Sequence, residues 1–215
     1  MPSRTGGDRK HWPEELDPLV QATRGLQPWR RIVHMVSGLA LALVPLTLGW
    51  SIPATVTVLV VLLCVAVGLD VVRLRTPVVN QAFFRFLRPL VSAREAAGVA
   101  SSTWYLVGAI LSYLLFPPVH AVLAILVLAL ADPAAAVVGQ LLGGPRIGTG
   151  SVSGTLTFFV VAFSILYGGT GRPAVALVAL AVALLETVPG IGDDNLVIPL
   201  STGTLLWIVG MVGGV

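Results

Sequence analysis

LADPAAAVVGQLLGGPRIGTGSVSGTLTFF, residues 130–159, sets one acid inside an apolar run and then breaks into a loop of glycine, proline, arginine and serine. The run has the length of a membrane span. A carboxylate at that depth costs about 2.5 to 3.5 kcal/mol on insertion scales, so Asp132 is expected to face protein or water and to have a task there. Pro133 removes one helical hydrogen bond and frees the carbonyl of Ala129. Asp132, Ala136, Gly139 and Gly143 fall close to one helical face that is nearly bare of side chains. A nucleotide phosphate or another helix can approach the backbone there.

The surrounding composition defines the class. The chain has 215 residues, 56% of them hydrophobic and 11% charged, with a mean hydropathy of +0.93. A soluble domain carries about 25% charged residues. An all-α polytopic membrane protein of one domain is expected, with a polar segment over 1–29 and a membrane domain over 30–215. The single Cys64 excludes a disulfide framework and reads as a small core residue. Residues 1–29 contain four prolines and no apolar core of a signal peptide, and Trp12 and Trp29 suit the headgroup level.

Seven apolar segments follow, near 32–50, 53–72, 101–117, 119–142, 151–169, 173–188 and 196–214. Several are short and would span only with tilt, local thinning or breaks. If the seven alternate, twelve of the thirteen Lys and Arg residues share one side, and only Arg172 falls on the other. The positive-inside rule then puts the N-terminus and this polar face in the cytoplasm and the C-terminus outside, in the cell or inner membrane. The net charge of +3 is thereby a topology signal, and no nucleic-acid partner is expected.

Four polar clusters meet on that face. Arg30, Arg31 and His34 open the first span, where the arginines anchor on anionic lipid or serve a site, and the imidazole needs a partner. Asp70 and Arg73, three residues apart, pair along a helix end. The stretch VVNQAFFRFLRPLVSARE after them reads as an interfacial amphipathic helix, with Glu95 at its end and Ser102 or Thr103 as an N-cap of the next span. The loop from Gly143 to Gly154 offers flexible backbone, Arg146, the hydroxyl of Ser151 and a helix N-terminus. Those are the parts of a phosphate site, although a plain turn between spans explains them as well. Finally, Asp193, Asp194 and Asn195 supply hard oxygen ligands of the kind that hold Mg²⁺ against phosphate, where capping alone needs one such residue.

Five segments together, RRIVHMVSG, DVVRLRTP, REAAGVASSTWYLVG, ADPAAAVVGQLLGG with SVSGTLTFF, and LLETVPGIGDDNLVIPL, resemble in this order the membrane-embedded, CTP-using lipid-alcohol kinases. These are dolichol kinase, phytol kinase and the CTP-dependent diacylglycerol kinase, and around the acid and glycine segment the chain is also similar to phosphatidate cytidylyltransferase. The resemblance covers about residues 30 to 202. It implies that Asp132, Asp193, Asp194 and Asn195 belong to a nucleotide and metal site and that Arg31 and His34 form its cytoplasmic lip. Two positions depart from the family pattern: Ala131-Asp132 stands for Gly-Asp, and Gly150-Ser151-Val152-Ser153-Gly154 stands for Lys-Ser-x-Glu-Gly.

The function these expectations define is transfer of the γ-phosphoryl group of a nucleotide, CTP by resemblance, to the hydroxyl of an isoprenoid or glycerolipid alcohol. Such catalysis rests on positioning and charge neutralisation. Asp132 and Asp194, with Asp193, would hold Mg²⁺. Arg31, Arg146, Gly139, Gly143, Ser151, Gly154 and Asn195 would meet nucleotide and phosphate, and His34 is the candidate base. Two other classes fit the same residues: a cytidylyltransferase that releases pyrophosphate, and a transporter or non-catalytic protein that keeps buried acids and broken helices.

Overall fold

The structure, a computed structural model, describes residues 16–23, 25 and 27–212. Arg4, Arg9, Lys10, Trp12 and Arg24 lie outside the described residues. The expected apolar segments return as helices α2 (Pro28–Thr47), α3 (Ile52–Arg75), α5 (Ser101–Leu115), α6 (Pro118–Leu142), α7 (Val152–Thr170), α8 (Val175–Glu186) and α9 (Asp194–Val212). Among the described residues two short helices, α1 (Asp17–Gln21) and α4 (Pro77–Phe86), and a 3-10 turn at Ala93–Ala96 accompany them. A two-residue hairpin, β1 (Arg146–Ile147) and β2 (Gly150–Ser151), joins α6 to α7.

Four of these helices, α2, α3, α6 and α7, are long and apolar enough to cross a membrane, whereas α5 and α8 are apolar but shorter. Along α3, Val61, Val65, Leu69 and Val72 form one outward stripe, each 53–66% exposed. A soluble fold rarely leaves so continuous an apolar face bare, and the stripe is compatible with lipid contact. At the centre stands α6, packed against α2, α5, α7 and α9. Over its most apolar stretch 56% of α6 is buried, against 17–22% for the other three long helices. Its Ile125 and Leu128 meet Phe158, Leu166, Val182 and Ile198 in the core.

Proline sets the boundaries and the exceptions. Pro28 and Pro118 begin α2 and α6, where the missing N–H costs nothing. Inside helices, Pro45, Pro133 and Pro199 each release the carbonyl four residues back. The carbonyl freed by Pro45 is Leu41 O, which accepts a hydrogen bond from Tyr113 Oη at 2.8 Å. The one freed by Pro199, Asn195 O, lies so close to Gly108 of α5 that a Cβ there would overlap it. The rungs broken by Pro45 and Pro199 thus become contacts between helices.

The interfacial helix is shorter than expected. It ends at Phe86 and gives way to a turn before Pro89, because a residue preceding proline is disfavoured in helical geometry. Phe84 is buried, not in lipid but in a small second core with Leu16, Val20, Val91 and Ala96. The N-terminal segment therefore holds a packed helix, α1, where only a polar arm was expected.

Beneath that cap lies a buried polar network. Arg73 Nε donates to Asp70 Oδ1 at 2.7 Å, Nη1 to Asn80 Oδ1 at 3.1 Å and Glu95 O at 2.7 Å, and Nη2 to Gly98 O at 2.6 Å. The guanidinium also covers the Phe83 ring, 4.6 Å from its centroid. The other Asp70 oxygen accepts from Ala100 N at 3.0 Å and Thr103 Oγ1 at 2.8 Å. This corrects the expected N-cap: Ala100 occupies that position, and the carboxylate that satisfies its amide reaches over from α3. Neither Ser102 nor Thr103 caps α5.

Candidate functional site

The helix ends sort into two groups. The starts of α2, α5, α7 and α9 gather with the ends of α6 and α8 around two clefts at one end of the bundle. The larger, of about 590 Å³, is lined by Arg30, Arg31 and His34 from α2, Arg94 and Glu95 from the turn, Ser101, Asp132 from α6, and Asp193, Asp194 and Asn195. All four polar clusters thus converge at one end, three of them on this cleft.

On its α2 wall, Arg30 Nη2 donates to Ser101 Oγ at 2.9 Å and lies 3.6 Å from Glu95 Oε1. Arg31 differs: its Nε is buried with no hydrogen-bond partner. A buried donor left so costs about 1 to 3 kcal/mol, which an acceptor brought into the cleft would offset. One turn further in, His34 stacks on Tyr105, ring centroids 4.6 Å apart. Its Nε2 lies 3.4 Å from Leu128 O and 4.0 Å from Asp132 Oδ2. A carbonyl only accepts, so the Leu128 contact is a hydrogen bond when Nε2 carries the hydrogen, leaving Nδ1 as the basic nitrogen. Among the described residues no side chain stands within hydrogen-bond distance of Asp132, whose ion-pair partner His34 is 4.0 Å away.

The acids across the cleft divide in role. Asp193 Oδ1 accepts from Asn195 N at 3.0 Å and Asn195 Nδ2 at 2.7 Å, so Asp193 caps α9 and ties down Asn195. Asp194, the first residue of α9, stays exposed on the cleft wall. Among the described residues no three His, Cys, Asp or Glu side chains form a ready-made metal cluster. Magnesium does not require one, since it is commonly held by one or two carboxylates together with substrate phosphates and water. Asp132 and Asp194 fit that pattern.

The second cleft, of about 420 Å³, runs along the other flank of α6 and shares Ala136 and Gln140 with the first. Gly139, Gly143, Arg146, Ser151 and Gly154 line it, as does Glu186. The bare face of α6 is in part a helix crossing, because a Cβ at Gly154 would stand 3.0 Å from Ala135 O and one at Gly139 would stand 2.8 Å from Ser151 Oγ. Ser151 caps α7, accepting from Gly154 N at 3.2 Å.

Arg146 is five residues before Ser151 in the chain, yet the hairpin register pairs the two directly. Cross-strand partners present their side chains on one face, so the cation lies beside the capped helix start. The hairpin is fixed on the end of α8 by Thr149 N donating to Thr187 O at 2.9 Å. At its tip Gly148 has φ +55°, and a Cβ there would collide with Thr187 O. Gly148→Ala is therefore expected to undock the hairpin, seen as faster limited proteolysis between 144 and 150, and equal protease resistance would speak against this contact.

Several lining residues carried no signal in the sequence. Gln140 looks like an ordinary helix-end polar residue, and Thr23, Gly25 and Gln27 precede the first apolar segment; all four line the larger cleft. The packing of α1 on α4 and a hydrogen bond from Gln27 Nε2 to Val91 O at 2.8 Å bring the N-terminal residues there, nonlocal contacts that periodicity does not reveal. No protein-family model, curated protein or solved structure matches the chain.

Proposed function

We propose that the two clefts form a phosphoryl-transfer site in which a magnesium nucleotide, CTP in the first instance, phosphorylates the hydroxyl of an isoprenoid or glycerolipid alcohol. The observation that carries this reading is the convergence of Asp132, Asp194, His34 and Arg31, with its unpartnered Nε, on one cleft at the end of an apolar bundle. The resemblance of the five segments to lipid-alcohol kinases supplies the reaction class. In this reading α2, α3, α5, α6, α7, α8 and α9 all span the membrane, the N-terminus and both clefts face the cytoplasm, and the C-terminus lies outside. The short α5 and α8 then require local thinning.

Within the site, Asp132 and Asp194 bind the magnesium that the nucleotide brings as part of the substrate. Arg31 and, through the hairpin, Arg146 neutralise phosphate oxygens, while Gly139 and Gly154 keep the approach free of side chains. The lipid oxygen attacks the γ-phosphorus, the bond from that phosphorus to the β-bridging oxygen breaks, and CDP leaves. The hydroxyl proton passes to His34 Nδ1, and Nε2 stays directed at Leu128 O and Asp132. The test is purified protein with γ-labelled CTP or ATP and a panel of lipid alcohols. Label in the lipid phase is expected with at least one acceptor; none with any pair would refute the reading.

Arg146 gives a quantitative check. A charge-assisted contact contributes about 1.5 to 3 kcal/mol, so Arg146→Ala is expected to lower kcat/KM for nucleotide by roughly ten- to a hundredfold. Gly150 has room for a side chain, the nearest atoms to a Cβ there being 3.7–3.8 Å away. Gly150→Lys should restore part of the loss. If Arg146→Ala matches the parent, the hairpin is a connector and the arginines of α2 carry the phosphate.

Topology is tested separately. A cysteine placed at Thr149 or Gly192 should resist a membrane-impermeant thiol reagent in sealed cells and react after permeabilisation. Labelling in intact cells would invert the proposed orientation.

A further inference from the structure

The opposite end of the bundle holds a cavity that phosphoryl transfer does not use. It has a volume of about 490 Å³ and lies where the start of α6 meets the end of α7, the following connection and the last turns of α9. Arg172 and His120 bring nitrogen donors to it, Val175, Leu206 and Trp207 bring apolar walls, and among the described residues no Asp or Glu lines it. Among the described residues the Arg172 guanidinium makes no hydrogen bond or ion pair, since both hydrogen bonds of the residue are made by its backbone N–H and C=O. That backbone is held in place. Thr170 Oγ1 donates to Leu166 O at 2.7 Å and accepts from Arg172 N at 3.3 Å, and Gly171, at φ +66°, closes α7.

An unpaired arginine in solvent needs no partner, and one at a bilayer surface usually extends to the headgroups. Here the cation instead lines a concave site whose other walls are aliphatic and aromatic. Trp207, 47% exposed on the same rim, is of the type that sits at headgroup level. A cationic group above apolar walls matches an amphiphile with an anionic head, better than it matches a free inorganic ion. We infer that this cavity binds the phosphate of an anionic lipid, with Arg172 and His120 on the headgroup and an acyl chain along Val175, Leu206 and Trp207. The assignment holds whether or not the other end transfers phosphate.

Phosphatidylglycerol and phosphatidylcholine carrying the same dibrominated chains are the probes, with the protein in neutral detergent micelles. Bromine quenches nearby tryptophan, and the Trp207 part of the signal is obtained by difference from Trp207→Phe. Phosphatidylglycerol is expected to quench Trp207 at a mole fraction about tenfold lower than phosphatidylcholine, the order of one charge-assisted contact. Arg172→Gln should bring the two curves together, and Arg172→Lys should keep most of the preference, which shows that the charge and not the fold is responsible. Coincident curves in the parent, or a preference that survives Arg172→Gln, would overturn the site. Inorganic phosphate at constant ionic strength should leave the preference intact, and its abolition would overturn the lipid assignment in favour of a free anion.

Discussion

Replacing Asp132 with Asn is expected to lower lipid phosphorylation by on the order of a thousandfold while leaving the protein as stable as the parent, or more so. The two halves of this result have one cause. Asp132 places a charge within the central helix, where desolvation opposes it, and its nearest ionisable neighbour, His34 Nε2, stands 4.0 Å away. Packing therefore gains little from the carboxylate, and an amide of the same shape removes the charge without opening a cavity. Chemistry loses much more, because a preorganised charged group in a phosphoryl-transfer site commonly contributes a factor of about 10² to 10³. Asp194→Asn should show the same separation of activity from stability. Asp193→Asn should not, since Asp193 caps α9 and binds the Asn195 side chain, so its loss should lower stability first. If Asp132→Asn kept full turnover, Asp132 would be reduced to helix packing.

The reverse pattern is expected at Arg73. Its guanidinium serves four acceptors on α3, α4 and the segment before α5, three of them through buried contacts and Gly98 O through a partly buried one. Removing one partner of a buried pair leaves the other charge uncompensated and costs about 3 to 5 kcal/mol. Arg73→Ala should therefore abolish or strongly lower the yield of monodisperse protein in detergent and depress its melting temperature. Lysine is not equivalent, because one ammonium cannot reproduce the planar fork that reaches Asp70, Asn80 and two carbonyls at once. Arg73→Lys should recover only part of the loss. Parent-like melting of Arg73→Ala would mean that the network is surplus to the fold.

Much of this arrangement is legible in the residues, and the parts that are not share a reason. The apolar segments are long and continuous enough to be read as helices compatible with a membrane, so the all-helical bundle and the bounds of its seven apolar helices follow closely from the chain. Asp132 and the Asp193 to Asn195 group stand out because polar groups next to apolar runs are costly. Their meeting follows once successive helices run up and down. Contacts that depend on tertiary reach do not show. Asp70 and Arg73 read as an ordinary helical pair, while the extension of Arg73 to Asn80, Glu95 O and Gly98 O depends on how the intervening turn folds. Likewise, the spacing of Arg146 and Ser151 separates them, whereas the hairpin makes them neighbours. A two-residue strand has no pattern for periodicity to detect.

The most direct measurement uses CTP labelled in two ways, at the α- and at the γ-phosphorus, with the purified protein, magnesium and, in separate reactions, lipid alcohols and the matching lipid phosphates. Phosphoryl transfer predicts label in the lipid phase from the γ-labelled nucleotide alone, stoichiometric release of CDP, and loss of both in Asp132→Asn. Lipid labelled from the α-position, with pyrophosphate released, would contradict the proposed phosphoryl transfer and indicate cytidylyl transfer at the same cleft.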